Sequence, residues 1–90
     1  MEFEWDPKKD KANRRKHGIS FHEAATVFGD PLAISFPDPD HSLNEERFLI
    51  FGISIFNQLL VVSYAQRDDK YRIISARLMT RQERKIYEEG

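Results

Sequence analysis

The chain contains no cysteine, which removes disulfides, thiolate zinc sites and cysteine nucleophiles in one step. Its longest apolar runs, at 48–56 and 59–62, fall far short of the ~20 residues that a bilayer-spanning helix requires. The acidic start Met1-Glu2-Phe3-Glu4-Trp5-Asp6 lacks the basic opening and apolar stretch of a secretory signal, so a cytoplasmic protein without membrane contact is expected. No phosphate-cradling glycine loop, serine elbow or dinucleotide fingerprint occurs, so chemistry built on ATP, NAD or a hydrolase triad drops out. His17, His22 and His41 have no paired spacing, and Asp38-Pro39-Asp40-His41 lacks the glycine and closing glutamate of a calcium loop. Neither a metal nor another cofactor is expected.

What remains is a chain of 90 residues, 40% apolar and 32% charged, the balance of one soluble globular domain. The net charge of -1 conceals a segregation. Residues 1–17 hold six Lys/Arg and four Asp/Glu, residues 18–66 hold one and six, and residues 67–90 hold seven and five. The stretch 8–17 sets Lys8, Lys9, Lys11, Arg14, Arg15 and Lys16 against Asp10 alone. A basic run of this kind is either a solvated helix or one side of a polyanion site, and the second reading gains if other cations converge on it.

Asp6-Pro7 has the form of a helix start and Gly18 that of its stop, which predicts a helix over 7–17. With Ala12 nearly its only apolar residue, it needs anchors, for which Trp5 and Ile19 stand ready at its two ends. Ser20-Phe21-His22-Glu23 reads as a capping box opening a helix over 21–28, ended by Gly29-Asp30-Pro31. Strands follow at 32–36, 47–55, 59–65 and 71–78, separated by turn-rich Pro37-Asp38-Pro39-Asp40, by Asn57-Gln58 and by Arg67-Asp68-Asp69-Lys70. Strict alternation in the last strand would place Tyr71, Ile73, Ser75 and Arg77 on one face and Arg72, Ile74, Ala76 and Leu78 on the other. Thr80-Arg81-Gln82-Glu83 is a second capping box before a C-terminal helix. The order predicts an α+β domain, a mainly antiparallel sheet of four to five strands with helices on one side.

Two groups of residues could carry chemistry. On the first helix Lys9, Asn13, Lys16 and His17 share a face, with lysines for phosphates, an amide that donates and accepts, and a histidine that titrates near neutrality. The dipole at the helix end offers His17 a purely structural role as well. At the other end of the chain stand Arg72, Arg77, Glu83, Arg84 and Tyr87. An arginine among apolar strand residues must either meet a carboxylate or line an open site, and Glu83 must either close its capping box or take part in proton transfer.

The ordered motifs Phe3-Glu4-Trp5-Asp6-Pro7, Asn13 with Lys16-His17-Gly18-Ile19-Ser20-Phe21, Glu23-Ala24, Val27-Phe28, Asp30-Pro31, Glu46-Arg47-Phe48, Arg72-Ile73-Ile74-Ser75-Ala76-Arg77, Glu83-Arg84 and Tyr87 closely resemble the BrnT toxins over almost the whole chain. The sequence departs from that pattern at Asn57-Gln58 and Met79, neither of which is a candidate site residue. The resemblance implies a RelE-like fold, and the toxic half of a type II toxin-antitoxin pair. The implied activity is that of a metal-independent endoribonuclease that cleaves mRNA and arrests translation. It further implies neutralisation by a BrnA-like ribbon-helix-helix antitoxin in a heterotetramer or larger complex, with DNA contacted only through the antitoxin. For such a reaction His17, Arg67, Arg77, Glu83 and Tyr87 are the catalytic candidates, and Lys9, Asn13, Lys16, Arg72 and Arg84 the RNA-binding ones. The competing expectation is a non-catalytic module that binds RNA or an acidic antitoxin segment.

Overall fold

A computed structural model describes residues 2–38 and 45–90. Among the described residues five strands form one sheet: β1 (Glu2–Glu4), β2 (Ile34–Pro37), β3 (Arg47–Ile53), β4 (Leu59–Arg67) and β5 (Lys70–Leu78), in the order β1-β5-β4-β3-β2. Strands β2 to β5 form an antiparallel meander, and β1 adds a parallel edge to β5. The described residues also form the α-helices α1 (Pro7–His17), α2 (Phe21–Thr26) and α3 (Arg81–Glu89). The α+β architecture is the one expected. Part of the anticipated turn at 37–40, and all of His41, lie outside the described residues.

Helix α1 starts and stops where its caps dictate. The Asp6 carboxylate accepts from Lys8 N, and Gly18 ends the helix at φ 73°, a conformation cheap only without a Cβ. The anchors are Trp5, edge-on to Phe21, and Ile19, fully buried. A third hold is Asn13, only 7% exposed. Its amide nitrogen donates to the carbonyls of Ile19 and Ala76, both at 2.9 Å, and its oxygen accepts from Ala76 N at 3.1 Å. Beyond the three residues paired with β1, the edge of β5 is therefore closed by a side chain that imitates a neighbouring strand.

Helix α2 is shorter than its predicted span, because the chain tightens into a 3-10 turn at Val27–Gly29. Its capping box is only half made. Ser20 accepts from Glu23 N, but the Glu23 side chain turns inward, where one oxygen accepts from Ser54 Oγ and Gln58 Nε2, both at 2.7 Å. The carboxylate thus ties α2 to the β3–β4 turn.

Ile19, Phe21, Ala24, Val27, Ile50, Leu60, Val62, Tyr64, Ile73 and Ala76 make the main core between α2 and the sheet; each large side chain fully buried there contributes roughly 1.5–3 kcal/mol. A smaller cluster of Phe51, Val61 and Met79, with Tyr87 of α3 packed against it, lies on the opposite face. The helices therefore occupy both sides of the sheet, contrary to the one-sided expectation, because the short apolar edge of α3 is drawn to the alternate residues of β3 and β4.

Strand β5 also departs from strict alternation. Its register with β4 runs from Ser63↔Ser75 to Tyr64↔Ile73, which leaves Ile74 as the extra residue of a bulge. Ile73 and Ala76 consequently both point into the main core, and Arg72 and Arg77 fall on the same face instead of opposite ones.

Candidate active site on the open sheet face

Register places three rows across the sheet face opposite α2: Arg47, Ala65 and Arg72; Leu49, Ser63 and Ser75; Phe51, Val61 and Arg77. Arg67, opposite Lys70, extends the same face. Four arginines thus converge on one surface, a set of forked donors whose geometry suits phosphate oxygens. Arg47 belongs to the Glu46-Arg47-Phe48 motif but received no role in the sequence; alternation from Phe51 back through Leu49 would have put it on this face.

The arginines face nearby carboxylates. Arg67 Nε donates to Glu45 at 2.8 Å, which draws the Glu45 carboxyl below its usual range. Arg72 donates to Glu4 at 2.9 Å across the β1–β5 pair. Arg77 forms a forked contact with Glu83, at 2.7 and 2.8 Å. Arg47 is held least, its Nε lying 3.8 Å from Glu45 and buried without a hydrogen bond among the described residues.

Glu83 closes its capping box and, with the same carboxylate, pairs with Arg77. Thr80 accepts from Glu83 N, while the Glu83 carboxylate accepts from Thr80 N and grips Arg77. The hydrogen bonds from Arg77, aided by Thr80, outweigh burial and bring its pKa to about 2. One turn later Tyr87 donates to Asp30 Oδ2 at 2.6 Å. That bond to a carboxylate, reinforced by burial, pushes the phenol up to about 12. For Asp30, burial works upward, but bonds from Tyr87, Ile53 N and Leu32 N prevail and the carboxyl ends below its ordinary value. Asp30 was legible only as a helix-ending residue; its contact with Tyr87 spans 57 positions.

The structure brings Arg77, Glu83, Tyr87 and Asp30 into one cluster, with Arg72, Arg67 and Arg47 along the same face. It does not bring the α1 residues into that cluster. Lys9 and Lys16 are exposed and His17 is half-buried, and none of them has a side-chain hydrogen bond or ion pair among the described residues. Asn13 departs furthest from its expected place, since its amide is spent on Ile19 and Ala76 and is turned away from any ligand. Arg84 lies apart, lining a shallow groove with Asn57, Gln58, Leu59, Leu78 and Met79. Among the described residues no group of three or more His, Cys, Asp or Glu is placed to hold a metal, and no helix is long and apolar enough to cross a membrane.

Residues 5–83 match the family model described as the ribonuclease toxin BrnT of type II toxin-antitoxin systems. Among solved structures, the ribonuclease toxin BrnT of Brucella abortus, determined at 1.1 Å, superposes with a TM-score of 0.71. It is 21% identical, and the alignment covers 90% of this chain and 99% of that one, a likeness that speaks to the fold. No curated protein sequence matches the chain. The family match runs from Trp5 to Glu83, taking in both N-terminal helices, the meander and the carboxylate that holds Arg77; the chain belongs to the BrnT ribonuclease toxin family of type II toxin-antitoxin systems.

Proposed function

We propose that the chain is an endoribonuclease that cuts mRNA on the arginine-bearing sheet face, inhibits translation, and is neutralised by a ribbon-helix-helix antitoxin that also makes the complex's DNA contacts. The observation that carries this reading is the bulge at Ile74, which sets Arg72 and Arg77 beside Arg47 on one open face. Forked guanidinium groups suit phosphate recognition.

Cleavage of RNA through its own ribose needs a proton taken from the 2′-hydroxyl, charge stabilised on phosphorus, and a proton given to the departing 5′-oxygen. The 2′-oxygen bonds to phosphorus as the bond to the 5′-oxygen breaks, leaving a 2′,3′-cyclic phosphate and a 5′-hydroxyl. Arg77 is the cation nearest the proton-transfer groups. A carboxylate at about 2 is a feeble base while Arg77 holds it, so the substrate phosphate must first draw the guanidinium away, which frees Glu83 and raises its basicity where it is needed. Tyr87, pushed up to about 12, retains its proton and serves as a donor once its hydroxyl turns from Asp30. Arg67 and Arg72 hold neighbouring phosphates, and Lys9, Lys16 and Arg84 supply longer-range attraction. His17 stays in reserve as an alternative proton carrier.

Expression of the wild-type chain should arrest growth and shorten mRNA, and Arg77→Ala should do neither while melting cooperatively. Arrest without RNA cleavage would favour a binding module; a variant that has lost its fold would make Arg77 a structural ion-pair residue.

A further inference from the structure

Between the rows of arginines the sheet face holds a pocket of about 270 Å³, lined by Asp38, Arg47, Leu49, Ser63, Ile74 and Ser75. We infer that this pocket seats one unstacked nucleobase of the substrate RNA and so sets which nucleotide lies beside the cut. The inference rests on the ribonuclease reading and adds to it a specificity site that is separate from Arg77, Glu83 and Tyr87.

The volume lies just under the range of about 300–1,000 Å³ that accommodates drug-sized ligands, so there is room for a single small ring. The lining matches that ring. Leu49 and Ile74 offer apolar surface for its faces, and the hydroxyls of Ser63 and Ser75, register partners on adjacent strands, offer groups that both donate and accept. Arg47 adds a forked donor of the kind that reads a base edge.

Arg67, Arg72 and Arg77 are each held by a carboxylate oxygen at 2.7–2.9 Å, whereas Arg47 Nε is buried without a hydrogen-bond partner among the described residues and has Glu45 only at 3.8 Å. A buried guanidinium nitrogen without a partner is costly. A small turn of this side chain toward a carbonyl or ring nitrogen of a base would satisfy it.

The Leu49-Ser63-Ser75 row lies between the row carrying Arg47 and Arg72 and the row carrying Arg77. A phosphate held on either side would leave the intervening base to turn into the sheet. The bulge that aligns the arginines also places Ile74, its extra residue, in the pocket wall, the kind of re-aiming for which bulges are used.

The test compares binding of the four ribonucleoside 5′-monophosphates with that of ribose 5-phosphate, which carries the phosphate and sugar but no base, by titration calorimetry of the purified chain. At least one nucleotide should bind about tenfold more tightly than ribose 5-phosphate. Ser75→Leu, which fills the pocket from an exposed strand position, should reduce that ratio to about threefold or less. Ser63→Ala should reduce it in the same direction, and keeps the test open if the larger substitution unfolds the chain. Equal affinity for all five compounds, or a ratio insensitive to both substitutions, would overturn the pocket. If nucleotides bind no better than ribose 5-phosphate but Ser75→Leu abolishes neutralisation by the antitoxin, the pocket belongs to the protein partner and the proposal fails. Cleavage of RNA by the same wild-type preparation reports separately on the ribonuclease reading.

Discussion

Arg77 donates its two terminal nitrogens to the two oxygens of Glu83, at 2.7 and 2.8 Å, across the junction of β5 and α3. The same carboxylate accepts from Thr80 N to close the first turn of the helix. One side chain therefore fixes the helix start and orients the Arg77 guanidinium on the open sheet face.

Replacing Arg77 separates those duties. Arg77→Ala should abolish RNA cleavage and cost about 1 kcal/mol or less of stability, because the pair is partly exposed and screened. Arg77→Lys should retain the fold and restore little cleavage, since an ammonium cannot reproduce the fork. Thermal unfolding beside a gel-based cleavage assay reads both outcomes.

Glu83→Gln preserves the acceptor for Thr80 N but removes the charge. Cleavage should fall by about 100-fold or more. Because the folded-state pKa is depressed from 4.5 to about 2, the stabilisation from this ionised group is fully present above 4.5. It is lost as the pH falls through about 2. The stability gap between wild type and Glu83→Gln should therefore be flat at neutral pH and close between 4.5 and 2, as measured by denaturant unfolding across that window. A gap that widens on acidification would contradict the pairing.

Tyr87→Phe removes the 2.6 Å bond to Asp30 and little packing. Asp30 keeps its bonds from Ile53 N and Leu32 N, so the cost should be about 1 kcal/mol. A large loss of cleavage at that small cost places the hydroxyl at the reacting phosphate. Parental rates in both Tyr87→Phe and Glu83→Gln would move proton transfer elsewhere, with His17→Gln as the next variant to measure.

Asn13→Ala should behave in the opposite way, as a folding variant. It leaves both backbone groups of Ala76 and the Ile19 carbonyl without their side-chain partner, at a cost of roughly 1–3 kcal/mol for each group left buried and unsatisfied. Its melting temperature should drop sharply, while the salt dependence of RNA binding by the folded fraction stays parental. Lys9→Ala and Lys16→Ala should do the reverse, each flattening the salt dependence by about one phosphate contact without changing stability.

The local features of the fold were legible because local chemistry sets them. The caps Asp6, Gly18 and Thr80 bound their helices where the sequence placed them. The long-range ones were not. The bulge at Ile74 depends on how β5 registers against β4, so alternation read along one strand assigned Arg72 and Arg77 to different faces. Glu23 satisfied the capping-box spacing, yet Ser54 and Gln58, 31 and 35 residues away, captured its carboxylate. The face shared by Lys9, Asn13 and Lys16 was sound as helical geometry and silent about which side the sheet would claim. Arg77, Glu83 and Tyr87 were legible because they lie close together on adjoining elements; Asp30 and Arg47 reach the same surface only through the completed meander.

The most direct test of the arginine face as an RNA-cleaving site is product analysis of a single-stranded RNA incubated with the purified chain in EDTA, beside a DNA strand of the same sequence. RNA fragments ending in 2′,3′-cyclic phosphate and 5′-hydroxyl are expected, with DNA left intact and no fragments from Arg77→Ala. Intact RNA, DNA cut alongside it, or fragments from Arg77→Ala at the parental rate would contradict that assignment.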